Sequence, residues 1–245
     1  MAAWTTAMYL VRLVPWTVAR WFAAWERRQR RRALAVWGRG ALRILGGRVR
    51  CIGRPPEPPY YMVSNHRSYV DIMALEAVAG PVFVAMAEIA SWPVLGVLCA
   101  HLQTIFIQRE DLRSMGRVMD AMDAALAAGY GVHVFPEAGI PDSGCVEPFR
   151  PALLEAAARS GQPVYAAGIT YTDREGRPLT GDADRVSWVG EIGLMAHLRR
   201  LLEGPGFVVT VRFDPVPRLG TDRKALAGEL TDAVRGLCEG VGSGE

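Results

Sequence analysis

Tyr60-Tyr61-Met62-Val63-Ser64-Asn65-His66-Arg67-Ser68-Tyr69-Val70-Asp71 reads as a short strand, a turn and the start of a helix. The strand is Tyr60 to Val63. The helix runs from Ser68 to Ala79, where Gly80-Pro81 stops it. The same alternation continues downstream. Val82–Ala85, Thr104–Ile107, Val132–Phe135, Val164–Tyr171 and Phe207–Phe213 read as strands. Val94–Ala100, Leu112–Ala128, Pro151–Ser160, Ile192–Leu202 and Arg223–Cys238 read as helices. Strands alternating with helices predict an α/β fold, a mostly parallel sheet flanked by helices. The apolar run from Gly80 to Ile107 is broken by Pro81, Glu88, Pro93, His101 and Gln103. It therefore reads as buried core and not as a membrane span.

Upstream of Tyr60 the chain changes character. Arg54-Pro55-Pro56-Glu57-Pro58-Pro59 reads as a stiff linker. Residues 1–54 hold twelve Arg and one Glu, a net of +11, so the rest carries −8 of the total +3. Trp4 to Trp25 is apolar and aromatic, but Arg12, Pro15 and Arg20 interrupt it. A spanning helix wants about 20 residues with few charges, and a signal peptide puts its charges first. Glu26-Arg27-Arg28-Gln29-Arg30-Arg31-Arg32 follows at once. Tryptophans beside a polybasic run suit a helix lying on an anionic leaflet. The alternative is a helical hairpin packed on its own domain with solvated arginines. Nucleic acid is the weaker partner, since no zinc-finger or RNP-type motif is present. The expected division is a basic amphipathic helical membrane-associating segment over 1–50 and one domain over 51–245. Half the 245 residues are apolar and 22% are charged, a globular balance that excludes disorder, collagen and coiled coil. Cys51, Cys99, Cys145 and Cys238 are scattered, so neither a disulfide framework nor a zinc site is expected.

Three groups could carry chemistry. His66 and Asp71 are five apart, which would turn them about 140° from each other inside one helix. They meet only if His66 lies in the turn before it. A carboxylate on one imidazole nitrogen would then leave the other free to take a proton from a hydroxyl. That arrangement is a Ser-His-Asp triad whose serine is replaced by a substrate alcohol. Ser68-x-x-Asp71 is equally a capping pattern, with Asp71 serving the helix alone. Arg109 follows the Thr104–Ile107 strand and suits a phosphate or carboxylate fork, or else pairs with Glu110 or Asp111 on the surface. Glu137 follows the Val132–Phe135 strand and is either a site carboxylate or a loop residue. All three sit past carboxyl ends of strands, where open α/β sheets bind ligands. His133, mid-strand, reads as a core residue. No G-x-S-x-G, H-E-x-x-H, Walker loop or G-x-G-x-x-G occurs, which removes support for common serine hydrolases, zincins, nucleotidases and dinucleotide enzymes.

N-H-x-x-x-x-D at Asn65–Asp71, F-I-x-R at Phe106–Arg109, F-P-E at Phe135–Glu137 and the Pro163-Val164 strand occur in that order. This set resembles the four blocks of the glycerolipid acyltransferase family, the 1-acylglycerol-3-phosphate O-acyltransferase type. The likeness covers roughly Cys51 to Phe213, and the amphipathic head is also typical. The resemblance implies transfer of a fatty acyl group from acyl-CoA or acyl carrier protein to a lysolipid hydroxyl, in membrane phospholipid biosynthesis. By match, His66 is the general base and Asp71 its orienting partner. Arg109, Glu137 and Gly139 belong to the acceptor site, and Pro163 and Val164 to the acyl pocket. No metal or organic cofactor is indicated. The implied location is the cytoplasmic face of the inner membrane.

Some positions depart from the pattern. The third block is usually F-P-E-G-T-R, and here it is Phe135-Pro136-Glu137-Ala138-Gly139-Ile140. Met86 stands where a lysine is frequent, and Gln103 where the second block has glycine. A charge-assisted hydrogen bond is worth about 1.5–3 kcal/mol, so losing a cation weakens preference for a phosphomonoester. Arg150, in Pro148-Phe149-Arg150, is the candidate replacement. Pro148–Ala158 and Trp188–Leu202 resemble a bacterial subgroup that includes enzymes acylating lyso-ornithine lipid. Two other function classes fit the residues less well. They are a lipid-directed hydrolase using the same pair on water, and a non-catalytic membrane-surface protein.

Overall fold

In a computed structural model, which describes residues 2–92, 95–108, 112–141, 145–181, 184–190 and 192–239, helices and strands alternate as the sequence predicts. The elements are α1 (Ala2–Ile44), β1 (Gly47–Ile52), β2 (Tyr60–Ser64), α2 (Val70–Val78), β3 (Val82–Met86), α3 (Leu95–His101), β4 (Ile105–Ile107) and α4 (Leu112–Ala127). They continue with β5 (Gly131–Val134), α5 (Glu155–Ser160), β6 (Val164–Thr172), α6 (Leu194–Leu202), β7 (Phe207–Phe213) and α7 (Arg223–Glu239). One seven-stranded sheet runs β1-β7-β6-β2-β5-β3-β4. Five strands, β6 through β4 in that order, are parallel, while β7 is antiparallel to β6 and pairs parallel with β1.

All five residues of β2 are buried, as a central strand covered on both faces requires. Its side chains alternate between two cores. Tyr60 and Met62 pack with α2 and with Leu42 and Leu45, just before and after the end of α1. Tyr61 and Val63 pack with α4, α5 and α7. Layers of helix on each face of the sheet result. The left-handed Gly80 (φ +65°) ends α2, its amide reaching back to Leu75 O at 3.1 Å.

Three expectations are corrected. The sequence reading omitted β1, which pairs along its whole length with β7. The expected boundary at residue 50 therefore runs through a strand, and Leu42 and Leu45 are core residues. The Arg54–Pro59 stretch does not separate a head from a body but joins two strands of one sheet. Alternating polar and apolar residues in Gly-Arg-Val-Arg-Cys-Ile suit an edge strand, and the dense arginines masked that signal. The Pro151–Ser160 helix also begins as a 3-10 turn over Pro151–Leu154.

The carboxyl-terminal half of α1 lies across α2. At Gly38 a Cβ would stand 2.5 Å from Met73 O, so only glycine allows the contact. This packing divides the polybasic run. Arg30 points inward, donating to Leu102 O at 2.9 Å and lying 5.4 Å from the Tyr130 ring centroid. Arg31 pairs with Glu57 at 3.4 Å. Trp21, Trp25, Arg28 and Arg32, at helical spacing, form one exposed stripe. One face of the helix thus packs on the domain and the opposite face is exposed. Among the described residues no helix is long and apolar enough to cross a membrane.

Glu76 is fully buried on α2, and neither oxygen has a hydrogen-bond partner among the described residues. Burial pushes its carboxyl up to about 8, opposed by Arg30. The folded value is raised above the ordinary 4.5. The group's stabilising contribution is therefore full below about pH 4.5 and is lost as pH rises through about 8. Glu76→Gln removes that loss. Thermal melts should show the variant gaining on the wild type by several degrees at pH 8.5 relative to pH 5.5. Parallel curves at the two pH values would contradict it.

Candidate active site

His66 lies two residues beyond the carboxyl end of β2, and Asp71 lies in the first turn of α2. The turn between them is held by one carboxylate. Asp71 is fully buried, and its Oδ2 accepts from the amides of Arg67 (2.7 Å) and Ser68 (2.9 Å). The same oxygen is 2.9 Å from His66 Nδ1. Capping and orientation, which the sequence posed as alternatives, are one structure. A carboxylate already ringed by donors accepts from the imidazole, so Nδ1 carries the ring proton. Nε2 is left as the free base. The His66 side chain is 19% exposed against 0% for Asp71, so the pair is open on the imidazole side only.

Other groups fix the imidazole. Its ring stacks on Phe135 at 3.9 Å between centroids, 22° from parallel. Phe135 follows β5 and is itself met edge-on by His133 at 4.4 Å. His133 is the core residue the sequence suggested. Burial, with the nearby His66, holds its pKa down at about 3. It donates from Nε2 to the Ser64 hydroxyl at 3.1 Å, which in turn donates to Asn65 O.

Glu137 spends both carboxylate oxygens on backbone amides. One oxygen accepts the His66 amide at 2.6 Å and the other the Glu147 amide at 3.0 Å, and the residue is 8% exposed. Its geometry is that of a strut under His66. Burial pushes its carboxyl up to about 7, against the lowering effect of the two amides. Gly139 is exposed in the turn beyond it, and a Cβ there would meet nothing within 4 Å. Arg150 is exposed, and its amide donates to Pro136 O at 2.9 Å, which places it beside the same turn. Arg109 lies outside the described residues.

Pro163 and Val164 are not brought to the site. Val164 opens β6 opposite Tyr61, three positions before the Ala167–Ser64 pair. At about 3.3 Å per residue that is roughly 10 Å toward the amino end of the sheet. There Val164 is fully buried core. The spacing of the fourth block identifies the strand, not which end of it meets a ligand. An apolar recess near the carboxyl edge lies instead between α4 and β3–β5, lined by Val84, Ile107, Met119, Met122, Val134 and Leu153 among others.

Sequence reasoning missed three residues. Asn65 lends its side chain to the sheet, donating to Ile169 O (2.9 Å) and accepting the Ile169 amide (2.8 Å). This extends the β2–β6 ladder by one step and aims the next residue, His66, outward. Arg67 donates to Ser187 Oγ and Leu179 O, each at 3.0 Å, and pairs with Asp184. Tyr171, on β6, donates its hydroxyl to Asp71 Oδ1. Asn65 and Arg67 sit inside the first block, where they could have been suspected. Tyr171 is 100 residues from Asp71, and nothing local marks it.

The family follows from comparison with known sequences. Residues 48–170 match the acyltransferase family model. The chain is 34% identical over 227 residues to the lyso-ornithine lipid O-acyltransferase of Brucella abortus, covering 86% of this chain and 83% of that one. It belongs to the acyltransferase family. It is also 33% identical over 215 residues to the 1-acyl-sn-glycerol-3-phosphate acyltransferase of Neisseria gonorrhoeae, covering 86% and 82%. The fold is that of the 1-acyl-sn-glycerophosphate acyltransferase of Thermotoga maritima, with a TM-score of 0.63 at 20% identity over 86% of this chain and 78% of that one. As an acyltransferase, the enzyme has a buried carboxylate orienting an accessible imidazole at the carboxyl edge of its sheet.

Glu137→Gln replaces an acceptor oxygen with a donor that opposes one amide. Hydrogen bonds to a charged group are worth about 1.5–3 kcal/mol. Steady-state kinetics should show kcat falling about 10- to 100-fold, with the acceptor KM within about twofold. A rise in KM at constant kcat would return Glu137 to the acceptor site.

Proposed function

We propose that this acyltransferase moves a fatty acyl group from acyl-CoA or acyl carrier protein to the free hydroxyl of a lysolipid such as 1-acylglycerol-3-phosphate. The observation that carries this is the His66–Asp71 pair, with no serine, cysteine or other protein nucleophile bonded to Nε2 among the described residues. His66 Nε2 takes the proton of the lysolipid hydroxyl as its oxygen attacks the thioester carbonyl. Asp71 stabilises the imidazolium that forms. Collapse of the tetrahedral intermediate breaks the C–S bond, and the imidazolium returns the proton to the departing thiolate. No group on the enzyme is acylated, and atoms and charge balance over the cycle.

A second acceptor, lyso-ornithine lipid, is favoured by one feature. The turn after Glu137 carries Ala138 and Gly139 where the family pattern has glycine, threonine and then arginine. The exposed Arg150 beside that turn is the cation left for a head group, with Arg109 from the second block. A turn with fewer cations suits an acceptor without a phosphomonoester.

The exposed α1 stripe fits an anionic membrane surface, where each cation contributes about 1 kcal/mol. With the acyl donors in the cytoplasm, the matching surface is the cytoplasmic face of the inner membrane. Arg28→Ala and Arg32→Ala should each weaken partition to anionic vesicles about fivefold at low salt. Arg30→Ala, which removes a packed residue, should lower the melting temperature and leave partition nearly unchanged. Equal effects of all three on partition would contradict the divided helix.

Thiol release from palmitoyl-CoA and from palmitoyl-acyl carrier protein tests the reaction, with lysophosphatidate, lyso-ornithine lipid and other lysolipids as acceptors. Release should require an acceptor and vanish in His66→Ala, and Arg150→Ala should raise the KM of the preferred acceptor. Release without an acceptor would indicate a hydrolase. No release with any donor and acceptor, from protein that still binds vesicles, would indicate a membrane-surface protein.

A further inference from the structure

Asp71 uses its two oxygens unequally. Oδ2 serves three partners, the His66 ring and the amides of Arg67 and Ser68. Oδ1 has one among the described residues, the hydroxyl of Tyr171. Tyr171 is 1% exposed and comes from β6, across the site from α2. Burial and the Asp71 charge push its phenol well above the ordinary range, so it stays protonated and donates. Arg67 lies 5.5 Å from the centre of its ring and is itself paired with Asp184.

We propose that Tyr171 is a positioning residue for the transfer, its hydroxyl setting the rotation of the Asp71 carboxylate and, through it, the strength of His66 as a base. The inference rests on the acyltransferase reading of the His66–Asp71 pair. A donor on Oδ1 draws negative charge away from Oδ2. Without it, charge concentrates on the oxygen that faces Nδ1, and the imidazolium is favoured. His66 then stays protonated to higher pH, and less of it can act as base at neutral pH. The other charged or titratable groups facing this cluster are Arg67, Asp184, Glu137 beyond β5 and His133 on β5. Tyr171→Phe keeps the ring that Arg67 faces and removes only the hydroxyl bonded to Asp71, so a displaced limb reports on that bond.

The test is the pH dependence of kcat/KM in Tyr171→Phe, with Tyr61→Phe as the matched control. Tyr61 is also 1% exposed and donates to Leu153 O at 3.2 Å, so its loss removes one buried hydrogen bond without touching Asp71. Tyr171→Phe should move the acid limb up by about half a unit to one unit and so lower kcat/KM at neutral pH by no more than about three- to tenfold. Tyr61→Phe should leave the limb where it is. If Tyr171→Phe does not fold, 3-fluorotyrosine at position 171 keeps the hydroxyl as a stronger donor, and the limb should move down.

An NMR titration of the His66 imidazole, assigned by its absence in His66→Ala, should move in the same sense and needs no turnover. An unmoved limb and an unmoved imidazole titration in the variant that folds overturn the proposal. A wild type without turnover counts against the acyltransferase reading, while the imidazole titration still decides whether Tyr171 acts through Asp71.

Discussion

A fully buried carboxylate with four hydrogen-bond donors is the constraint on which the site depends. Asp71 closes the turn after β2 by taking two backbone amides, and it sets the His66 tautomer with the same oxygen. Removing a partner from a buried charged group costs several kcal/mol. The fold and the chemistry therefore cannot be varied separately at this position. Everything around it keeps that one geometry. Asn65 extends the sheet under the turn, Glu137 takes the amide of His66, Phe135 stacks on its ring, and Tyr171 holds the second oxygen of Asp71.

The site borrows from the sheet more than from its loops. β2, β5 and β6 are adjacent and parallel, so their carboxyl ends deliver Asn65, Phe135 and Tyr171 to one edge. The aromatic stack and the strut are short extensions of strands buried on both faces. Where the turn departs from the common pattern, it does so away from this frame. Ala138 takes a positive φ of 59° next to the strut, a conformation that glycine adopts more readily. The imidazole is thus held by the edge of the sheet, while Ala138, Gly139 and Arg150 lie in and beside the turn that departs from the pattern.

Local patterning made most of this legible. Period and punctuation located six of the seven strands, and Phe207–Phe213 agrees at both ends. The five-residue spacing of His66 and Asp71 required a turn between them, and the turn is there. What failed depends on contacts far apart in sequence. β1 was hidden because arginines on its exposed side made it look like more of the basic head. The motif places Glu137 at the sheet edge but does not give the direction of its side chain, which the His66 and Glu147 amides set. Pro163 and Val164 were placed by block membership, though β6 runs nine residues and only its far end meets the site. Tyr171 was invisible because only the folded sheet brings it to Asp71.

The central claim is that Asp71 makes His66 a base by holding the Nδ1 proton. Asp71→Asn tests it most directly. An Asn oxygen in the Oδ2 place can still accept the Arg67 and Ser68 amides and the Nδ1 proton, but the negative charge that favours the imidazolium is lost and the NH2 group opposes the Tyr171 hydroxyl. With the fold verified by thermal melting, acceptor-dependent thiol release should fall by about 10³–10⁴ at neutral pH, with little change in KM. Turnover within a few-fold of the wild type would contradict the account, because a base that works without its carboxylate was never oriented by it.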